Sequence, residues 1–153
     1  MLGRVLTTAI LVAAVTTPAR AQEKKITAAD LPTAVRATAE AQSKGATVRG
    51  YSRETGHGRV EYEVQLMMGG LTRDVSIGAD GAVLEIEQQV LTDSLPPSVR
   101  DALMKKAGAG KITKVESLTK GGKLVAYEAA ILTAGKRSEV QVGPDGTALS
   151  HEE

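Results

Sequence analysis

Tyr62 to Gly81 reads Y-E-V-Q-L-M-M-G-G-L-T-R-D-V-S-I-G-A-D-G, and its pattern returns 65 residues later as Tyr127 to Gly146, Y-E-A-A-I-L-T-A-G-K-R-S-E-V-Q-V-G-P-D-G. Carried on to Glu87 and Glu152, the two stretches share 9 of 26 positions. Chance would give about one or two, so the spacing predicts an internal duplication of a β-rich unit. Within the first stretch Val60, Tyr62, Val64 and Leu66 alternate with Glu61, Glu63, Gln65 and Met67. That period of two belongs to an antiparallel strand with one face buried. Gly69-Gly70 turns the chain, and Ala79-Asp80-Gly81 supplies the positive φ that a tight hairpin needs.

Working outward, Thr27 to Asp30 has the spacing of a capping box. Leu31-Pro32 then opens a helix whose stripe is Leu31, Val35, Thr38, Ala39 and Gln42, ended by Lys44-Gly45. Leu95-Pro96-Pro97-Ser98-Val99-Arg100 matches Leu31 to Arg36 and opens a second helix with the stripe Leu95, Val99, Ala102 and Leu103. Strands are expected over 47–54, 59–67, 71–77 and 82–87, then 111–118, 123–132, 136–142 and 147–151. Gly50 suggests a bulge in the first of these. Gln22 to Lys25 reads as a polar tail, and Gln88 to Ser94 as the linker between the repeats.

The expected fold class is therefore α+β, with two tandem units, each one helix packed on a four-stranded antiparallel sheet. The units run over 22–90 and 91–153. Residues 1–21 read as a signal peptide: Arg4, an apolar run from Leu6 to Val15, and an A-x-A site at Ala19-Arg20-Ala21. The run is too short to span a bilayer. The expected location is periplasmic or secreted, with no membrane span after cleavage.

Composition narrows the function. The chain holds 19 Lys+Arg and 18 Asp+Glu; without Arg4 and Arg20 the remainder is 17 against 18, or −1. No basic field is left for nucleic acid. Cysteine is absent, and the aromatic residues are Tyr51, Tyr62 and Tyr127. With so few rings, stacking of bases or sugars is not expected.

The order Leu-Pro-x-x-Val, Tyr-Glu-Val and Val-x-Val/Ile-x-x-Asp-Gly resembles the PepSY-like family. It appears as Leu31 to Val35, Tyr62 to Val64 and Val75 to Gly81. The second repeat carries it again, with Ala129 in place of the valine after Tyr127-Glu128. Two such units in tandem also resemble the architecture of secreted β-lactamase inhibitory proteins. Those use disulfides and interface aromatics, which this chain lacks. The resemblance implies an exported binding or inhibitory module rather than an enzyme. No cofactor is implied.

Candidate chemistry is sparse. His57 lies in a glycine-flanked turn. Ser150-His151-Glu152 holds triad residue types, but on a strand adjacent side chains point to opposite faces. Asp80 and Asp145 occupy equivalent turns, and Asp-Gly is the ordinary solution to such a turn. The alternating oxygen ligands of a calcium loop are absent, so no metal is expected. Tyr62 and Tyr127 read as core residues with the hydroxyl at the rim.

The outward sheet face is more informative. In the first repeat it carries Glu61, Glu63, Gln65, Asp74, Glu85 and Glu87. In the second, Leu124, Ala126, Glu128, Ala130 and Leu132 make an unusually apolar strand face. Glu63, Gln65, Met67, Leu124, Ala126, Glu128, Ala130 and Leu132 are therefore the candidate contacts for a protein or peptide partner, or for a second copy in a homodimer. Burial of this strand by a loop or by the neighbouring sheet is the structural alternative. A small-molecule or cation sensor using the acidic face is the functional one.

Overall fold

The computed structural model describes residues 22–56, 59–151 and 153. The expected signal peptide and His57 lie outside these residues. Eight strands form one open antiparallel sheet in chain order: β1 (Gln22–Ile26), β2 (Thr47–Gly56), β3 (Arg59–Met68), β4 (Leu71–Gly78), β5 (Val83–Val90), β6 (Lys111–Lys120), β7 (Lys123–Thr133) and β8 (Lys136–Val142). Two helices, α1 (Thr33–Gln42) and α2 (Pro97–Ala107), follow β1 and β5.

This corrects the expected fold class. The chain does not build two units that each place one helix on a separate four-stranded sheet. Strand β5 pairs with β4 along one edge and with β6 along the other, from Arg73↔Gln88 to Ile77↔Val83 and from Glu85↔Lys120 to Val90↔Val115. Residues 88–90, expected as linker, are thus ladder residues. A backbone with donors and acceptors on both edges is satisfied by strands on both sides, and that fuses the sheet.

Both helices lie on the same side. Ile86 packs against the core of α1, which is built from Leu31, Val35, Ala39, Val64, Leu66, Val75 and Ile77. Val90, four residues on and therefore on the same face of β5, packs against the core of α2, built from Leu95, Val99, Leu103, Val115, Ala129 and Val142. The helix stripes are those the periodicity gave. Tyr62 and Tyr127 sit half-buried beside the two cores.

The helix entries follow local chemistry. The Asp30 carboxylate accepts from the Thr27 N–H (2.9 Å) and hydroxyl (2.7 Å), closing a single 3-10 turn over Ala28–Asp30 before Pro32 admits α1. Those bonds hold the Asp30 carboxyl below its ordinary value. Gly45, at φ +77°, takes the chain out of α1.

Three other expectations change. Gln22 to Lys25 is part of an edge strand, paired from Gln22↔Thr55 to Ile26↔Tyr51, because backbone bonding to β2 needs no apolar side chain. Residues 147–151 form no strand; the Asp145 turn holds Thr147 through its N–H (3.0 Å) and hydroxyl (2.7 Å) instead. Alternation over 82–87 places Leu84 inward with Ile86, but the register shifts at the end of β4, and Val83 stands opposite Ile77 and packs on the first core instead. The bulge anticipated at Gly50 is present: the register shifts between Val48 and Gly50.

Each Asp-Gly turn is tied to a helix, the first to the middle of α1 and the second to the start of α2. Thr38 Oγ1 donates to the Gly81 carbonyl at 2.7 Å. A Cβ on Gly146 would stand 2.5 Å from the Ser98 carbonyl oxygen, and φ there is +87°. Glycine is needed twice over, for its backbone angle and for the approach of α2. Gly146→Ala should lose about 1–2 kcal/mol to the left-handed backbone alone, and more to the overlap. Gly135→Ala, at φ +80° with nothing within 4 Å of the new Cβ, should lose only the first part. Thermal melts of the two variants check this; equal losses would mean that the hairpin can move away from α2.

Candidate functional site

With both helices on one side, the other side of the sheet carries no helix among the described residues. Cross-strand pairs define its rows, since residues directly opposite share a face. Asp74 stands opposite Gln65 on β3 and Glu87 on β5. Glu87 faces Leu118 on β6, and Leu118 faces Ala126 on β7. In the adjoining row Gln89 faces Glu116, Glu116 faces Glu128, and Glu128 faces Gln141.

The centre of this face is well covered. Ala126 is 0 % exposed, Leu118 2 % and Glu116 4 %. Carboxylates so placed lose solvation, which favours the protonated form. Burial pushes Glu63, Asp74 and Glu128 up from their ordinary values. Glu87 is pushed up to about 8, first by burial, then by a hydrogen bond with Glu85 and the charges of Glu116, Glu85 and Glu128. Lys114 Nζ lies 2.7 Å from Glu116 Oε2. Burial works against the Lys114 ammonium, but the bond and charge of Glu116 outweigh it and hold its pKa up. Asp74, Glu87 and Glu116 each place a carboxylate oxygen within 4.8 Å of the others.

The candidate contacts do not all lie together. Glu63 and Gln65 are half-buried and joined by a 2.7 Å bond from Gln65 Nε2 to Glu63 Oε1. Met67 is half-buried at the end of the same strand. Glu128 accepts from Gln141 Nε2 at 2.8 Å. Ala130 is half-buried and Leu132 is 39 % exposed. A cavity of about 380 Å³ opens beside these two, between Lys114 and Arg137. Ala126 is inside rather than available. Leu124 is 40 % exposed, but a bulge between Leu118 and Thr119 places it opposite Thr119, which faces Ile86 on the helix side. Strict alternation put Leu124 on the outer face; one extra residue in β7 reverses it.

Glu116, Lys114, Leu118 and Gln141 were missed. Their signal was the alternation of Lys114, Glu116 and Leu118 along β6. It carried no meaning until β5 and β6 were known to be neighbours.

Residues after β8 lie over the same face. The Glu153 N–H donates to Gln141 Oε1 at 2.8 Å, and Lys120 Nζ lies 3.7 Å from the Glu153 carboxylate. Because 147–151 is not a strand, Ser150 Oγ can reach His151 Nδ1 at 3.0 Å. The other ring nitrogen is 3.9 Å from Glu153, outside hydrogen-bond range, and the imidazole is 75 % exposed. A general base held in one orientation is not formed there.

No family model and no curated protein matches the chain. Solved structures share its fold. A protein from Bacteroides eggerthii, described provisionally as periplasmic, is 15% identical with a TM-score of 0.63, over 77% of this chain and 85% of that one. A DUF2874 family protein from Bacteroides ovatus is 18% identical with a TM-score of 0.61, over 78% and 84%. A BLIP-like protein from Bacteroides fragilis is 20% identical with a TM-score of 0.57, over 80% and 84%. At these identities the likeness is one of fold: a BLIP-like sheet with its two helices.

The carboxyls of the outer face set a pH dependence. Glu87 has an ordinary value of 4.5 and a folded value of about 8. Between these the folded state binds more protons than the unfolded one, so stability falls as pH rises. Glu63, Asp74 and Glu128, shifted in the same direction, add to the decline. Melting temperature in a chelating buffer should therefore decline from about pH 5 to about pH 8, and Glu87→Gln should flatten the upper part. A melting temperature that rises over this window would contradict the burial of these groups.

Proposed function

We propose that this chain is an exported, non-enzymatic binding module whose outer sheet face takes a protein or peptide partner, with inhibition of an envelope hydrolase as one use. The observation that carries the reading is the face itself. It is free of helix, acidic around its middle, and opens a cavity at Ala130 and Leu132. Its hold on the backbone N–H of Glu153 through Gln141 is the kind of contact a bound peptide would make. The acidic middle of the face favours a basic partner, since opposite charge steers encounter, while Lys114 and Arg137 flank the cavity itself. Leu132 is 39 % exposed, so covering what remains would contribute about 1 kcal/mol. Among the described residues no helix is long and apolar enough to cross a membrane. The fold-mates described as periplasmic and BLIP-like agree with this reading. Membership of the PepSY-like family, export directed by residues 1–21, and the division into 22–90 and 91–153 belong to the same proposal.

Two experiments test it. Mass spectrometry of the exported protein should find Gln22 at its N-terminus; a chain retained in the membrane and starting at Met1 would remove export. Ala130→Arg and Leu132→Asp should leave the melting temperature nearly unchanged and abolish retention of the partner that the parent captures from its own envelope fraction. Loss of self-association in sedimentation, with partner capture intact, would assign the face to a homodimer. Unchanged capture and unchanged sedimentation would place the contact elsewhere.

A further inference from the structure

Three neighbouring strands each deliver one carboxylate to a single point on the outer face: Asp74 from β4, Glu87 from β5 and Glu116 from β6, with an oxygen of each within 4.8 Å of the others. Acidic clusters are common on solvated surfaces, and proximity alone would mean little. A second observation sets this one apart. Glu116 is 4 % exposed, and its Oε1 is buried with no hydrogen-bond partner. Its other oxygen is occupied by Lys114 at 2.7 Å. A buried carboxylate oxygen without a donor is costly, and native structures leave few of them. Something with positive charge and no need of its own acceptors fits that position.

The geometry points to a divalent-cation site formed by Asp74, Glu87 and Glu116. All three ligands are carboxylate oxygens, which suit hard cations such as calcium or manganese and not soft ones. The charge agrees once the ion displaces the proton that Glu87 holds: three carboxylates and the Lys114 ammonium then sum to −2, which one divalent ion neutralises. Calcium accepts irregular coordination with water completing the shell, and a sheet face that supplies ligands from one side demands that tolerance. Glu85 and Glu128 deepen the negative field nearby. The site lies at the seam between the two helix-bearing halves of the sheet, so an ion there would link β4, β5 and β6 through side chains as well as backbone.

The inference stands apart from the docking proposal: it needs neither Ala130 nor Leu132. Calorimetry of the full chain, freed of metal by chelation, against calcium chloride and manganese chloride tests it. One saturable site per chain is expected, with a dissociation constant in the range of extracellular calcium modules, about 10⁻⁴–10⁻³ M or tighter. Asp74→Asn and Glu116→Gln should each weaken binding by about ten-fold or more, since even indirect partners of a metal matter that much. Calcium should raise the melting temperature of the parent and not of Asp74→Asn. Asp74 is only half-buried, so that variant keeps the test sound if Glu116→Gln fails to fold. No heat with either ion at millimolar concentration, or binding indifferent to Asp74→Asn, would overturn the site and leave Lys114 as the sole counter-charge.

Discussion

Strand β5 bonds on both of its edges, and the molecule depends on that double pairing. Its first part, Val83 to Gln88, answers β4 on one side, and Glu85 to Val90 answer β6 on the other. A helix needs an apolar surface to cover its stripe, and neither α1 nor α2 could bury one alone. By carrying Ile86 toward the first core and Val90 toward the second, one strand sets both helices on the same side. The opposite face, without a helix among the described residues, follows from that. So does the meeting of Asp74, Glu87 and Glu116, which come from strands on both sides of the seam.

Much of this was legible in the sequence, and the reasons are specific. The helices showed because Leu31, Val35 and Ala39 recur at helical spacing and proline marks each entry. Strands β3 and β4 showed because Val64, Leu66, Val75 and Ile77 alternate with polar residues. The duplicated Asp-Gly turns showed because few residues tolerate their backbone angles. Such signals are local, carried by the residues that make the structure.

What was hidden is what depends on partners. The polar run Gln22 to Lys25 gives no periodicity, yet it pairs with β2 through backbone alone. Alternation told which residues of β6 share a face, but not that β5 would lie beside them, so Glu116 was never placed with Asp74 and Glu87. Parity failed for Leu124 because a bulge is a one-residue event with no marker of its own there, unlike the one at Gly50. The residues after Gly146 repeat Leu84 and Glu87 as Leu149 and Glu152, yet the segment forms no strand.

The strand order has a further consequence, for folding kinetics. Every strand pairs with its neighbour in the chain, so no contact in the sheet waits on the closure of a distant loop. Seven of the eight strands lie in meanders joined by short turns, β2 to β5 and β6 to β8, and the two longer connections each contain a helix that can form locally. Low contact order of this kind goes with rapid folding for a β-rich chain. The sheet can grow from either meander, and the two meet when β5 pairs with β6. Its open edges would be exposed throughout that process. The edge strand β1 carries Glu23, Lys24 and Lys25, and β8 carries Lys136 and Arg137, all of them exposed; charge on an edge discourages the growing sheet from adding a stranger's strand in place of its own.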